Sequence, residues 1–232
     1  MPYYSFAVPQ PLIDLGGLAA GGDYSSRILQ IILLVTVLGL APSILVMVTS
    51  FTRIVIVLSF VRSAMCLQQT PPNQVLISLA LFLTLFIMAP TMEESYEVGI
   101  KPMLEDRLTE EEAIPLIMQP FKKFMVSNTR MKDIELFTAI AKVEKYDHLE
   151  NLPIKVIIPS FMISELRKAF EIGFLIFLPF LIIDIVVSSV LMAMGMMMMP
   201  PVMISLPFKV IFFVLIEGWY MLAGSLVKSF AS

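Results

Sequence analysis

A run of methionines is the feature of this sequence whose residue type and spacing most clearly suggest a specific chemistry. Residues 191–209 read LMAMGMMMMPPVMISLPFK and contain seven methionines within twelve positions. Four of them are consecutive, and they are Met196, Met197, Met198 and Met199. Methionine is flexible and polarizable, so it adapts to surfaces of different shape. Gly195 before the run and Pro200 and Pro201 after it predict a tight loop, because glycine permits a sharp reversal and proline fixes its backbone.

Thioether sulfurs suit two different functions. They are soft ligands that select Cu(I), but successive residues on a helix point about 100° apart, so one chain cannot direct four neighbouring methionines at one ion. The sequence offers only one cysteine, Cys66, and one histidine, His148, as supporting ligands. A ring of identical chains would instead form a closed collar, which excludes ions by dewetting and yields around a passing polypeptide. The sequence favours the collar, with a methionine-lined copper permease as the alternative.

Three charged residues interrupt the long apolar runs near the methionines, and they are Asp184, Lys209 and Glu217. A carboxylate in the middle of a bilayer costs roughly 2.5–3.5 kcal/mol on insertion scales, so it must face protein or water. Lys209 and Glu217 lie eight residues apart, about two turns or 12 Å along one helix, broadly on one side but out of mutual reach. We therefore expect their partners on another helix or another copy of the chain. A proton relay is the alternative role for the carboxylates.

The composition places the chain in or against a membrane. Of its 232 residues, 58% are hydrophobic and 15% are charged, and the mean hydropathy is +0.87, whereas a soluble domain is about half apolar and a quarter charged. The net charge of -3 and the lack of a basic stripe exclude a nucleic-acid partner. No phosphate-binding glycine loop, nucleophile elbow or zinc-helix motif occurs, so we predict a protein that is not an enzyme and has neither metal nor cofactor.

The apolar runs predict an all-α, membrane-associated protein built from helical hairpins with about four long hydrophobic helices. The candidate spans are residues 28–48, 75–89, closed by Pro90, 172–199 and 202–227. The predicted segments are a flexible lead-in at 1–27, without the basic start of a secretory signal, a first hydrophobic hairpin at 28–90, a polar helical insert at 91–155, and a second hydrophobic hairpin with the methionine loop at 156–232.

The segment 91–155 differs from its surroundings in charge. It contains 13 of the chain's 19 acidic residues and 9 of its 16 basic residues. Thr109 and Glu112 have the spacing of a helix capping box. We expect short amphipathic helices that are broken near Pro115 and Pro120.

The remaining charges bear on orientation and on helix surfaces. Arg53 and Arg62 on the first loop place that loop in the cytoplasm, and therefore the polar insert on the periplasmic side. The segment SELRKAFE predicts surface pairs at helical spacing. Its charged members are Glu165, Arg167, Lys168 and Glu171. A structural alternative makes the chain a membrane anchor that displays its polar insert to a partner, with the methionines incidental.

Several blocks of the sequence, taken in order, resemble a known family. They are TSFTRIVIVLSFVR, PPNQVLISLALFLT, FLIFLPFLIIDIVVSSVLMAMGMMMMPP, ISLPFKVIFFVLI and EGWYMLAGSLVKSF. Across residues 27–232 they are similar to the FliP family of the flagellar type III export gate and its virulence-system counterparts, and GMMMMPPVMISLPFK and GSLVKSF look more flagellar. Glu217 stands where the family pattern has aspartate, which keeps the charge and adds one methylene.

The resemblance implies an assembly and a function. Five copies would join two smaller gate proteins of the FliQ and FliR type in the bacterial inner membrane, within the flagellar basal body, in a cone that extends toward the periplasm. Unfolded flagellar subunits would leave the cytoplasm through its pore, with further export-apparatus proteins as partners. The methionine loop corresponds to the gasket of that pore. The charges in matching blocks, which the resemblance assigns to subunit contacts or intramembrane positions, are Arg53, Asp184, Lys209 and Glu217.

Overall fold

The computed structural model describes residues 24–67, 69–143, 149, 152–196 and 200–230. These residues form nine α-helices and one π-helical turn, with no strand among them. The predicted all-α class is therefore confirmed.

The chain divides into two compact units, residues 1–45 and 46–232. Helix α1 (Tyr24–Val48) makes up the described part of the first unit, and its apolar stretch is Ile28–Leu40. No charged residue occurs in that stretch, so it has no polar stripe suited to water. The predicted flexible lead-in lies largely outside the described residues.

Helices α2 (Phe51–Ala64) and α3 (Asn73–Ser95) form the first hairpin of the second unit. The predicted end of the second apolar run at Pro90 is wrong as a helix end, because α3 runs through this proline. It then continues by a π-helical turn (Tyr96–Ile100) into α4 (Lys101–Leu104). Proline removes one backbone donor, but ending the helix among apolar groups would leave several more without partners. The helical segment therefore extends into the predicted polar insert.

The polar insert also contains α5 (Glu110–Asn128) and α6 (Met131–Ile140). The predicted breaks at Pro115 and Pro120 do not occur, because both prolines lie inside one continuous helix. The side chain of Pro120 is buried, and its packing offsets the lost hydrogen bond.

The start of α5 has the predicted cap. The Glu112 carboxylate accepts hydrogen bonds from the Thr109 backbone N–H at 3.1 Å and from the Thr109 hydroxyl at 2.8 Å. These bonds hold the pKa of Glu112 below its ordinary value of 4.5, the backbone N–H having the largest effect. The first turn is wholly acidic, which suits the positive end of the helix dipole.

The second hairpin consists of α7 (Ile154–Ala193), with 40 residues, followed by α8 (Pro201–Leu215) and α9 (Gly218–Lys228). The predicted single helix over residues 202–227 is wrong, because α8 and α9 meet at an angle of 61°. The break lies at Glu217, whose φ of 51° is left-handed and cannot continue a right-handed helix.

The described residues contain fewer clear membrane spans than the four that the sequence predicts. Asn73–Leu104 and Ile154–Ala193 are long and apolar enough to cross a membrane, and the bent pair of α8 and α9 adds a third if it counts as one span. The predicted first span, residues 28–48, lies within α1 (Tyr24–Val48) and is not among these helices.

Helix α2 is central to the packing of the second unit. Four of its apolar residues recur at helical spacing and are at most 1% exposed, and they are Ile54, Val57, Leu58 and Val61. They belong to one core cluster with buried side chains of α3, α7, α8 and α9. A second cluster joins the insert to the first part of α7, and it includes Met125, Ile134, Ile157 and Phe161. The first cluster holds the first hairpin, α8 and α9 to α7, and the second cluster holds the insert to α7.

Candidate functional site

The methionine segment forms the tip of the hairpin between α7 and α8. The Met196 N–H donates to the Leu191 carbonyl at 3.0 Å. The Gly195 N–H donates to the Met192 carbonyl, also at 3.0 Å. With a φ of 75° at Gly195, these bonds make a Schellman motif, which satisfies carbonyls at the end of α7. Glycine suits the position because a side chain would strain this left-handed backbone.

Two prolines begin the other arm of the tip. Pro200 precedes α8 and Pro201 is its first residue, where the missing N–H has no helical partner to lose. Between the two ends, Met196 is 47% exposed. The remaining methionines of the run, which lie outside the described residues, are Met197, Met198 and Met199. Both ends of the methionine loop are therefore fixed by local backbone geometry.

An ion pair that is largely buried, with only Asp184 partly exposed, links the two arms of this hairpin. Lys209 Nζ donates to Asp184 Oδ2 at 2.6 Å, and Asp184 Oδ1 accepts the hydroxyl of Ser205 at 2.6 Å. Lys209 Nζ also donates to the Ala64 carbonyl at 3.1 Å and to Cys66 Sγ at 3.0 Å. Lys209 is fully buried, so its three N–H groups all find partners within the chain.

This cluster connects three helices. Asp184 lies on α7, Lys209 lies on α8, and Ala64 is the last residue of α2, so the ammonium group also opposes the negative end of a helix dipole. The expectation that Lys209 takes a partner from another helix is met within one chain, by Asp184 of α7. Among the described residues, no group of three His, Cys, Asp or Glu side chains could hold a metal ion.

A second buried ion pair joins the first hairpin to α7. Arg53 Nε donates to Glu165 Oε2 at 2.8 Å, and Arg53 Nη2 donates to Glu165 Oε1. The two side chains are 1% and 0% exposed. Arg53 Nη1 donates to the carbonyl of Ser229 at 3.0 Å and to its hydroxyl at 2.9 Å. The guanidinium carbon lies 3.6 Å from the centre of the Phe230 ring. A planar fork with five donors serves all these partners at once, which a lysine does not.

The sequence interpretation of this second pair is wrong. It places Arg53 on a loop and Glu165 on a helix surface, whereas both are buried. The surface pairing predicted from the same segment is found for Arg167 and Glu171, whose Nε and Oε1 atoms lie 2.7 Å apart. The overlooked signal is a buried stripe at intervals of four residues, in which a glutamate takes an apolar position. Its members are Ile157, Phe161, Glu165 and Ala169.

Glu217 lies apart from both ion pairs. It is exposed, and within the described parts of the chain no ion pair includes it. The bend after α8 also removes Glu217 from the helix that carries Lys209, so the prediction that the two share one helix side is wrong. Gly218 is buried beneath Phe213, where a Cβ would overlap the ring. Trp219 packs edge-to-face on the same ring, with centroids 5.2 Å apart.

Comparison with known proteins decides the family. The model of the FliP family matches residues 34–226. The chain is 53% identical over 230 residues to the flagellar biosynthetic protein FliP of Caulobacter vibrioides, with 99% of this chain and 85% of the relative covered. It is 54% identical over 205 residues to that of Bacillus subtilis, with 88% and 93% covered. The chain belongs to the FliP family.

Membership of the FliP family confirms the resemblance read from the sequence. This chain is therefore a membrane-associated component of the flagellar export gate, and the family is not one of enzymes. The matched region includes the methionine loop and both ion pairs. Ser229 and Phe230, which contact Arg53, lie just beyond it.

Proposed function

We propose that this chain is a pore-forming subunit of the flagellar type III export gate and conducts unfolded flagellar subunits across the bacterial inner membrane. The methionine loop serves as the gasket of the pore. The observation that carries this proposal is the hairpin tip, where the Schellman motif at Gly195 and the paired prolines fix both ends of a loop with an exposed Met196. Soft thioether side chains on a fixed base exclude ions and yield to chains of varied shape.

The ion pair behind the tip supports this role. A gasket must keep its base in place while its side chains deform. Asp184 and Lys209 link the two arms of the hairpin, and Lys209 also donates a hydrogen bond to the last residue of α2. In an apolar setting such a pair resists separation, because each partner would leave an uncompensated charge. The backbone of the tip is therefore anchored to the first hairpin.

The proposal requires several copies, because one loop cannot close a pore. The second part of α7, residues 172–193, is here called the apolar half, and its exposed large side chains include Phe174, Leu175 and Ile182. Such a surface needs lipid or other subunits to cover it. We propose five copies with two smaller proteins of the FliQ and FliR type. The assembly would sit in the inner membrane at the flagellar basal body, extend toward the periplasm, and contact further export-apparatus proteins.

The charged residues divide into two proposed roles. Arg53, Asp184 and Lys209 already have partners inside the chain, so they position helices within each subunit. Glu217 is exposed at the bend between α8 and α9. It is therefore our candidate for a contact with a neighbouring subunit, where a cationic side chain would compensate its charge.

The test shortens the methionine loop by deleting Met197 and Met198 in cells that contain the complete export apparatus. The shortened loops should fail to meet at the axis, so the passive permeability of the inner membrane to ions should rise. Membrane depolarisation and salt-driven swelling of spheroplasts measure this. Met131→Leu is the matched control, since this methionine is also exposed but lies on α6 in the insert. Unchanged ion permeability after the deletion contradicts the gasket.

Replacing the four methionines with leucine separates the alternatives. Loss of copper uptake with unchanged ion tightness would favour the copper permease. Full export with unchanged tightness would favour a membrane anchor whose methionines are incidental. The mass of the gently extracted complex gives an independent check, because a single copy of the chain cannot form a collar.

A further inference from the structure

Helix α9 forms one wall of an apolar cavity that is partly open to the surface. The cavity has a volume of about 380 Å³ and is lined by α7, α8 and α9. Its lining side chains include Ile172, Phe180, Phe213, Leu222 and Leu226. Leu222 and Leu226 also pack in the core cluster around α2, but where α9 faces the cavity it lacks dispersion partners. The contacts at its two ends therefore add to the packing that holds α9 in place.

The first end of α9 has the geometry of a hinge. The Glu217 N–H donates to the Val214 carbonyl at 3.1 Å, and the Met221 N–H donates to the Glu217 carbonyl at 3.1 Å. Glu217 thus takes part in the hydrogen bonding of both helices, and its left-handed φ of 51° produces the bend of 61°. A change in the backbone angles of such a residue at a helix terminus swings the following helix as a rigid body.

The last end of α9 is held by side chains from two other parts of the fold. Arg53 of α2 donates to both oxygens of Ser229 and lies against the Phe230 ring. The same ring also stacks with Phe124 of α5, with ring centroids 6.0 Å apart and planes inclined by 18°. The Phe230 ring is therefore in contact with a cation from the first hairpin and a ring from the insert.

We propose that α9 is a strap, hinged at its first turn and latched at its last by Arg53, and that release of this latch widens the cavity beside it and uncovers its buried lining. Arg53 is suited to a latch that reopens. Glu165 occupies the Nε and Nη2 edge of the guanidinium, whereas Ser229 occupies Nη1 and Phe230 occupies the face. Of the contacts that Arg53 makes, opening breaks only those to Ser229 and Phe230, so the buried guanidinium keeps its carboxylate partner in both positions.

The test measures how often the cavity opens, using a cysteine at Leu226. This side chain lines the cavity and is 1% exposed, so L226C should react slowly with a small maleimide in the purified full chain. Adding Phe230→Ala should raise the labelling rate at least about twofold, because it removes both the cation–π contact with Arg53 and the stacking on Phe124. Arg53→Lys should do the same, because lysine keeps the charge opposite Glu165 but lacks the flat face. Peptide mass spectrometry separates this label from that on Cys66.

Three controls make each outcome decisive. Tyr220→Ala removes an exposed aromatic side chain from the same helix and should leave the rate at position 226 unchanged. Ser189→Cys places an exposed thiol on α7 outside the cavity and reports reagent access, which should be equal in all variants. Phe230→Leu should label as fast as Phe230→Ala. An unchanged rate in Phe230→Ala, an equal rise in Tyr220→Ala, or full protection by Phe230→Leu would overturn the latch.

Discussion

Helix α7 has two parts that differ in what surrounds them. In its packed half, residues 154–171, seven residues are buried and three of these are polar. In its apolar half, residues 172–193, three residues are buried, whereas side chains such as Phe174 and Ile182 are 61% and 60% exposed. One continuous helix therefore passes from the interior of a folded chain to a surface that the same chain leaves uncovered.

The difference shows which part of the protein one chain can complete alone. In the packed half, the Ser160 hydroxyl bonds the Asp133 carbonyl at 3.2 Å, the Ser164 hydroxyl bonds the Asp133 carboxylate, and Glu165 pairs with Arg53. Polar groups with such partners are satisfied without any other subunit. The apolar half presents bare hydrocarbon, which is stable only against lipid or another protein surface.

The sharpest test of this contrast removes the same side chain from each half. Phe161→Ala should lower the free energy of unfolding by about 3–5 kcal/mol, because Phe161 is fully buried and its loss leaves a cavity. Phe174→Ala should change it by less than about 0.5 kcal/mol, since that ring is already exposed. Unfolding by SDS in mixed micelles measures both values. Similar losses for the two variants would mean that the halves are equally packed.

A second test measures how strongly the buried pair of Glu165 and Arg53 in the packed half contributes to stability. Glu165→Gln should cost about 3 kcal/mol, because it leaves the buried Arg53 guanidinium without a countercharge. Glu171→Gln breaks the exposed pair with Arg167 on the same helix and should cost less than about 1 kcal/mol. The same SDS titration compares them. If Glu165→Gln lowered the free energy of unfolding no more than Glu171→Gln, the pair between Arg53 and Glu165 would be solvent-exposed rather than buried.

The two halves also differ in how far their charges could be predicted. Asp184 stands alone in a long apolar run, and an isolated charge of this kind signals that a partner is required. Glu165 has charged neighbours at helical spacing, so its local sequence already offers the surface pairs that helices normally make. Only the position of α2 against α7 reveals that Glu165 points inward. Sequence reasoning therefore marked Asp184 and Lys209 as charges in need of partners, without pairing them, and missed the pair that depends on tertiary packing.

The all-α class, the cap of α5 and the tight hairpin tip were predictable for a related reason, since each depends on neighbouring residues. That the helices continue through Pro90, Pro115 and Pro120 was not predictable from the sequence, because the surroundings of a helix decide whether it tolerates a proline. The break at Glu217 was equally hidden. It accompanies the close approach of Gly218 to Phe213, a contact that no local pattern indicates.

A third test examines the ion pair between Asp184 and Lys209, which holds the apolar half of α7 to α8. Lys209→Met should cost about 2 kcal/mol, because Asp184 keeps its bond to Ser205 and part of its exposure but loses its countercharge. Adding Asp184→Asn should recover about 1 kcal/mol or more, since the unpaired charge is then gone. The SDS titration of both single variants and the double variant gives the coupling. Strictly additive losses would mean that the pair does not fasten the hairpin.

The smallest expected effect lies in the insert, at the cap of α5. The pKa of Glu112 is lowered in the folded chain, chiefly by the Thr109 N–H, so its contribution to stability is fully present above the ordinary value of 4.5 and is lost as pH falls through the folded value. Glu112→Gln should therefore speed amide exchange in the first turn of α5 at neutral pH, and this difference from the parent should shrink as the pH falls below the lowered pKa of Glu112. Glu111→Gln removes a neighbouring acidic residue of the same turn without breaking the Thr109 bonds, and should have a smaller effect. If the difference in amide exchange between Glu112→Gln and the parent grew on acidification, the carboxylate would not be the group that caps the helix. The packed part of the chain would then begin after the first turn of α5.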